Sequence, residues 1–285
     1  MRIRLSPAVG SCICFVALAI FPTASRAQYK EIDRLGQDLA QACAKPSLEE
    51  NIIVVADLRD AAGTNGNQGH YFSLLVTSAM NFHRKGELAL ADHNDFDSAL
   101  ENIGIQPRAL ATPQSVVPIK SRINANMIVI GDFRQEQQDY SLHLSGVRAS
   151  DGMVLCSANS KFKHTAFLDS LARPFPPPPN GDRPIRMRPS DRDQGFVPPV
   201  CEHCQIPAYT SLARAAKLQG TVTFETLVSK EGKVVALRPI KVLGFGLDEV
   251  AYDLILNKWK MKPAKAQDGK PTAAIVPIEI SFRLY

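Results

Sequence analysis

Pro174-Phe-Pro-Pro-Pro-Pro179 constrains this chain more than any other stretch. Proline has a fixed φ and no backbone N–H, so such a run joins neither a helix interior nor a central strand. The segment continues through Asn180–Gly195, with Arg183, Arg186, Arg188 and Arg192 set against Asp182, Asp191 and Asp193. A segment of this composition cannot bury a core. Residues 174–199 therefore read as a semi-rigid spacer, partly polyproline II, between two separately folded parts. At ~3.1 Å per residue it reaches about 80 Å at most. A ligand for an SH3-type domain is the alternative reading of the proline run.

After the spacer, Leu247, Val250, Ala251, Leu254 and Ile255 fall at helical spacing and make one apolar stripe. Asp248 and Glu249 sit in the first turn and Lys258 near the end, which suits the helix dipole. Pro263 prevents continuation. Two strand-like runs precede this helix, Gly220–Val228 and Lys233–Lys241, joined by the turn residues Ser229-Lys-Glu-Gly232. The chain closes on Ile278-Glu-Ile-Ser-Phe-Arg-Leu284, alternating apolar and polar.

This order resembles the C-terminal domain of the TonB family of energy transducers. The residues that carry the likeness are Tyr209, Ala213-Arg214, Gly220-Thr-Val222 and Glu231-Gly-Lys-Val234, then Gly246-Leu-Asp248 with Ala251. Trp259-Lys-Met-Lys-Pro-Ala264, Gly269-Lys-Pro271 and Val276–Leu284 complete it. The resemblance implies a two-helix, three-stranded antiparallel α+β domain over residues 200–285. Its first helix is expected at Pro207–Gln219 and its third strand at about Thr272–Arg283. Pro277 cannot donate to a ladder, so that strand is expected at an edge. In the family this strand pairs with a peptide of an outer-membrane receptor. By resemblance, the partner-binding residues here are Tyr209 and Ile278, Glu279, Ile280, Ser281, Phe282 and Arg283. Glu279, Ser281 and Arg283 have an alternative role, blunting an open edge. Ile280→Pro is expected to remove a ladder donor and abolish partner capture. The family's Gln-Tyr-Pro element before the first helix is Ala208-Tyr209-Thr210 here, so only its tyrosine is kept.

At the amino terminus, Arg2 and Arg4 precede an apolar run from Ala8 to Phe21, and Ser25-Arg26-Ala27 precedes Gln28. That is the pattern of a secretory signal peptide, 1–27. The run is shorter than the ~20 residues needed to span a bilayer. An uncleaved inner-membrane anchor is the alternative. Residues 28–285 carry 30 basic and 28 acidic side chains, a balance that argues against nucleic-acid binding.

Residues 28–173 read as a mixed α+β domain with helices on one side of a sheet. Helices are expected at Tyr29–Ala44, Gly69–Lys85, Asp95–Ile103 and Pro113–Asn124. Asn51–Asp57 is almost wholly apolar, as in a strand buried on both faces. Further strands are expected at Glu87–Asp92, Asn126–Phe133, Tyr140–Ala149 and Met153–Phe162. The runs Ile53-Val-Val-Ala-Asp57, Ala125–Asp132 and Tyr140–Val147 with Ser150-Asp-Gly152 are similar to the envelope domains of curli-secretion and flagellar-assembly lipoproteins and of penicillin-binding-protein activators. That resemblance implies a non-catalytic interaction module.

No catalytic constellation emerges. Gly63–Gly69 matches neither G-x-G-x-x-G nor a loop ending in Gly-Lys-Ser/Thr and reads as a turn. Asp92-His-Asn-Asp-Phe-Asp97 lacks the Gly and Glu of an EF-hand and reads as a strand end with Asp95 capping a helix. His70, His83, His93, His143 and His164 are scattered singly and read as surface or packing residues. No cofactor and no metal site are expected. The exported part holds Cys43, Cys156, Cys201 and Cys204, which allow three pairings. Cys201–Cys204 as a local bridge and Cys43–Cys156 within the first domain are expected. Metal binding or redox chemistry at Cys201-Glu-His-Cys204 stays open beside the bridge.

The reading is a non-enzymatic, periplasmic TonB-family protein that binds an envelope protein or peptide by strand addition. An outer-membrane receptor is one candidate partner. The alternatives are an inner-membrane-anchored energy transducer and a thiol-redox or metal-handling protein using the Cys pair. Membrane association would follow only from an uncleaved leader, and the oligomeric state stays open.

Overall fold

The computed structural model describes residues 23–43, 51–64, 66–84, 88–173, 183–187 and 195–284. Most of the expected leader and the proline run at 174–179 lie outside the described residues. No described helix is long and apolar enough to cross a membrane.

The chain is mixed α and β. It opens with α1 (Thr23–Cys43), β1 (Asn51–Val55), α2 (Asn67–His83), β2 (Leu88–Leu90) and α3 (His93–Asn102). A 3-10 segment follows at Pro113–Arg122, then β3 (Met127–Gln135), β4 (Asp139–Arg148), β5 (Val154–Lys163) and α4 (Ala166–Leu171). The strands form one sheet in the order β2-β1-β3-β4-β5, with β1 parallel to both neighbours and β3-β4-β5 an antiparallel meander.

The sheet is covered on both faces, not on one as the sequence suggested. Ile32, Leu35 and Leu39 of α1 and Phe72, Leu75 and Val76 of α2 pack with Ile53, Val55, Val129 and Leu142. On the other face, Phe96 and Leu100 of α3 with Val116 and Ile119 pack with Val54, Ile128, Ile130 and Val147. The reason lies in β1: Ile53, Val54 and Val55 are all buried, so both of its faces need a cover. A Cβ on Gly36 would lie 2.3 Å from Ala79 Cβ, so glycine sets the close approach of α1 to α2. The expected helix at Pro113–Asn124 is a 3-10 segment with Pro118 inside it, where the missing N–H weakens an α-helical ladder. Asp92, not Asp95, caps α3, accepting from Asn94 N at 2.8 Å and Asp95 N at 3.4 Å.

The second half contains β6 (Ile185–Arg186), β7 (Val200–His203), α5 (Ser211–Ala215), β8 (Gly220–Val228), β9 (Val234–Lys241) and α6 (Leu247–Lys258). It ends with β10 (Lys260–Lys262), β11 (Ala264–Lys265), β12 (Pro271–Thr272) and β13 (Ala274–Phe282). The main sheet has four strands, β6-β13-β8-β9, one more than expected. The extra strand, β6, lies within residues 174–199, which were expected to be a spacer. Leu247, Ala251 and Ile255 of α6 bury against Val222, Phe224, Val276, Ile278 and Ile280. The expected helix at Pro207–Gln219 shrinks to α5: Thr210 caps it through Ala213 N at 3.1 Å, and Lys217 at φ 51° stops it.

The two halves meet through the start of α6. Tyr252 packs edge-on against Phe167 at 4.9 Å and touches Phe224 at 6.1 Å. Ser78 Oγ donates to Leu243 O at 3.0 Å, and Thr165 Oγ1 donates to Glu249 Oε1 at 3.1 Å. Asp248 is fully buried here and accepts from Leu243 N at 2.8 Å and Gly244 N at 2.7 Å. Burial pushes its carboxyl up to about 7, against the pull of those two N–H donors. Glu249 is also raised, chiefly by burial. Burial and then neighbouring groups raise the phenols of Tyr29 and Tyr71.

Candidate partner-binding edge

Strand β13 pairs with β8 along its whole length, from Ala274↔Val228 to Phe282↔Gly220. Its side chains alternate in burial. Ile278, Ile280 and Phe282 point into the core, while Pro277, Glu279 and Ser281 are exposed. The expected partner-binding residues therefore divide into an anchoring set and an outward set.

The other side of β13 is partly occupied, which corrects the expectation of an open edge. Strand β6 runs parallel to it, with Ala274↔Ile185 and Ile275↔Arg186. Ile185 N donates to Ala273 O at 2.9 Å and Met187 N to Ile275 O at 3.1 Å. Met187 packs on the apolar core, and Arg186 bonds Glu225. Among the described residues, no strand pairs with that side of β13 beyond Ile275.

Those two bonds also reveal which backbone groups face out. Backbone groups alternate sides along a strand. Ala273 and Ile275 face β6, so Pro277, Glu279 and Ser281 present their carbonyls on the same side. Glu279 and Ser281 add N–H donors, whereas Pro277 has none. Ile280, by the same alternation, directs its N–H towards β8. The Ile280→Pro expectation therefore fails: that change would break the internal ladder, not the outer one.

Tyr209 stands at the far end of this row. Its ring meets Phe282 edge-on at 5.7 Å, Arg214 lies over the ring at 5.4 Å, and its hydroxyl donates to Leu218 O. Its hydroxyl is thus committed within the chain, and its ring is half-buried against the core.

The structure holds both bridges, Cys43–Cys156 and Cys201–Cys204. The first pins α1 to β5. A Cβ on Gly146 would lie 2.3 Å from Cys156 Sγ and 3.1 Å from Cys43 Sγ, so glycine makes room for it. His203 of the second segment is exposed, its Nδ1 2.6 Å from Glu202 O. His70 and His93, read as isolated, are brought together with ring centroids 5.0 Å apart, beside Asp57. The sequence contained no signal for that meeting, since the two lie on different helices. Of the segment expected to be a turn at Gly63–Gly69, Asp60 holds the start, accepting from Ala62 N at 2.9 Å and Thr64 N at 2.8 Å, while Asn67–Gly69 already open α2.

Residues 205–284 match the family described as the Gram-negative bacterial TonB protein C-terminal. No curated protein matches the chain. Among solved structures, the chain is similar to the LpoB C-terminal domain from Salmonella enterica, at 14% identity and a TM-score of 0.37, covering 47% of this chain and 97% of that one. It is similar to E. coli LpoB, solved by NMR, at 11% identity and 0.39, covering 57% and 83%. The Pseudomonas aeruginosa TonB CTD is similar at 17% identity and 0.25, covering 30% of this chain and 86% of that one.

Proposed function

We propose that this chain is an exported, non-enzymatic protein of the cell envelope that captures an extended segment of a protein partner along Pro277–Arg283. In this reading residues 1–27 direct export, 28–173 form a second docking module, and 174–199 space it from the capturing domain at 200–285. The match of residues 205–284 to a TonB C-terminal family supports the choice of domain.

The observation that carries the reading is β6. A strand from the spacer already adds to β13 in parallel, so this side of the sheet accepts an extended chain. The outward groups of Pro277, Glu279 and Ser281 continue the same row. A partner strand laid there would gain main-chain bonds from Glu279 and Ser281 and side-chain contact with the Tyr209 ring. The exposed Glu279, Ser281 and Arg283 would then choose among partners.

Photo-crosslinking in the native envelope tests this. A photoreactive residue at Glu279 or Ser281 should yield adducts with a protein partner, and one at Asp268, on an exposed turn, should not. Equal adducts at all three positions would remove the edge as the site. The anchored energy-transducer alternative is separated by the intact mass of the native protein. A soluble species beginning at Gln28 would rule it out, and a membrane-bound species retaining Ala8–Phe21 would restore it.

A further inference from the structure

We propose that Asp57, His70, His93 and Asp97 form a binding site for a zinc-class divalent cation. The proposal is independent of the edge strand. It rests on four ligand groups converging from the end of β1 and the starts of α2 and α3.

Asp57 follows β1 at its carboxyl end, His70 lies in the first turn of α2, and His93 opens α3 with Asp97 one turn later. One ligand atom from each lies within 4.8 Å of all the others. Asp57 Oδ1 is 3.0 Å from His70 Nδ1 and 2.8 Å from His93 Nε2, and His93 Nε2 is 3.4 Å from Asp97 Oδ2. Tetrahedral ligands at ~2.0–2.1 Å from zinc stand about 3.3–3.4 Å apart. The cluster is thus already close to the spacing a four-coordinate ion needs, and shifts of about an ångström close it.

The proton inventory points the same way. His93 is only 4% exposed, and its Nδ1 lies 2.8 Å from the carbonyl of Val55. A carbonyl only accepts, so Nδ1 carries the hydrogen. In a neutral ring Nε2 is then a bare lone pair, aimed at two carboxylate oxygens. A proton on Nε2 would serve one nitrogen, whereas a divalent cation would take the lone pairs of both imidazoles and neutralise both carboxylates. The backbone bond at Nδ1 is the arrangement that orients metal-binding histidines. Asp97 Oδ1 is buried with no hydrogen-bond partner among the described residues, and Ser73 Oγ lies 3.1 Å from Asp57 Oδ1 as an outer support.

Two nitrogens and two oxygens favour zinc and its first-row neighbours over calcium or magnesium, which take all-oxygen shells. Asp97 keeps a third of its side chain exposed, which provides the entry. The bound ion would tie the end of β1 to the starts of α2 and α3.

The test uses the full, tag-free chain with both disulfides formed. Zinc titrated in a non-chelating buffer should bind at one ion per chain and raise Tm by about 5–10 °C at a hundredfold excess over Kd. Cobalt(II) in its place should give the visible absorption of a four-coordinate nitrogen–oxygen site. His70→Ala and Asp97→Asn, both at partly exposed positions, should each weaken binding tenfold or more while circular dichroism stays unchanged. Absence of saturable zinc uptake or of the cobalt band in the native chain overturns the proposal. So does uptake that survives His70→Ala and Asp97→Asn together but is lost in His203→Ala, which would place the ion at the exposed Cys segment.

Discussion

Arg186 of β6 reaches past β13 and bonds the carboxylate of Glu225 on β8. Glu225 gives its second oxygen to Arg238 of β9 at 2.6 Å, and the carboxylate is only 9% exposed. One nearly buried charge therefore fastens a two-residue strand that would have little else to hold it. Short strands of this kind depend on side-chain anchoring, because two ladder bonds alone contribute about 1–3 kcal/mol.

Arg186→Glu should release β6. The amides of Ile185 and Met187, which donate to β13, should exchange with solvent about tenfold faster, a change of about 1.4 kcal/mol. Hydrogen exchange followed by NMR reads this directly. Unchanged protection at both amides would mean that Glu225 does not hold the strand. A partner longer than the open stretch would have to displace β6, so adduct yield at Glu279 should rise in the same variant.

Proline substitutions separate the two sides of β13. Ile280→Pro removes an N–H that faces β8 and should lower stability by about 3 kcal/mol or more in a thermal melt. Glu279→Pro removes an N–H that faces out and should leave the melt nearly unchanged while abolishing crosslinking from Ser281. The reverse order of damage would mean that the backbone alternation was assigned the wrong way round.

Asp248 predicts how stability depends on pH. Its folded carboxyl titrates at about 7 against an ordinary value of 3.8. Between those values the folded chain holds a proton that the unfolded chain has released. Stability should therefore fall as pH rises from about 4 to about 7, by about 4 kcal/mol at most from this group, and level off above. Glu249 is raised as well and adds to the fall with the same sign. Asp248→Asn should remove its share of the slope, measured as urea unfolding free energies across that range. A slope identical to the native chain's would assign the effect elsewhere.

The two disulfides should differ in worth. Cys43–Cys156 closes a separation of 113 residues and Cys201–Cys204 one of 3. Loop-closure entropy alone assigns about 5 kcal/mol to the first and about 2 kcal/mol to the second. Urea midpoints of Cys43→Ala/Cys156→Ala and Cys201→Ala/Cys204→Ala should keep that order. Gly146→Val, which fills the space of the sulfurs, should approach the first double variant.

The elements legible beforehand were those whose evidence is local. The stripe Leu247, Ala251, Ile255 marked α6, and alternation marked β13, because burial against one face repeats with the period of the element. The Gly-containing turn at Ser229–Gly232 joined β8 to β9 for a similar reason, since turn chemistry is carried by a few adjacent residues. Less was legible where propensity is weak: α5 has five residues where thirteen were expected, and Lys217 at φ 51° ended it without any glycine or proline to announce the stop.

By itself, then, the sequence determined the strand and helix periods, the proline-rich composition of 174–199, the four cysteines beyond residue 27 and the similarity of residues 205–284 to one family. The tertiary structure alone decided which N–H groups of β13 face out, that Arg186 meets Glu225, that Asp248 is sealed between the halves, and that His70 and His93 share Asp57. Each of these joins residues from separate elements. Their meeting depends on strand register and on how helices seat on a sheet, and neither leaves a periodic trace in the chain.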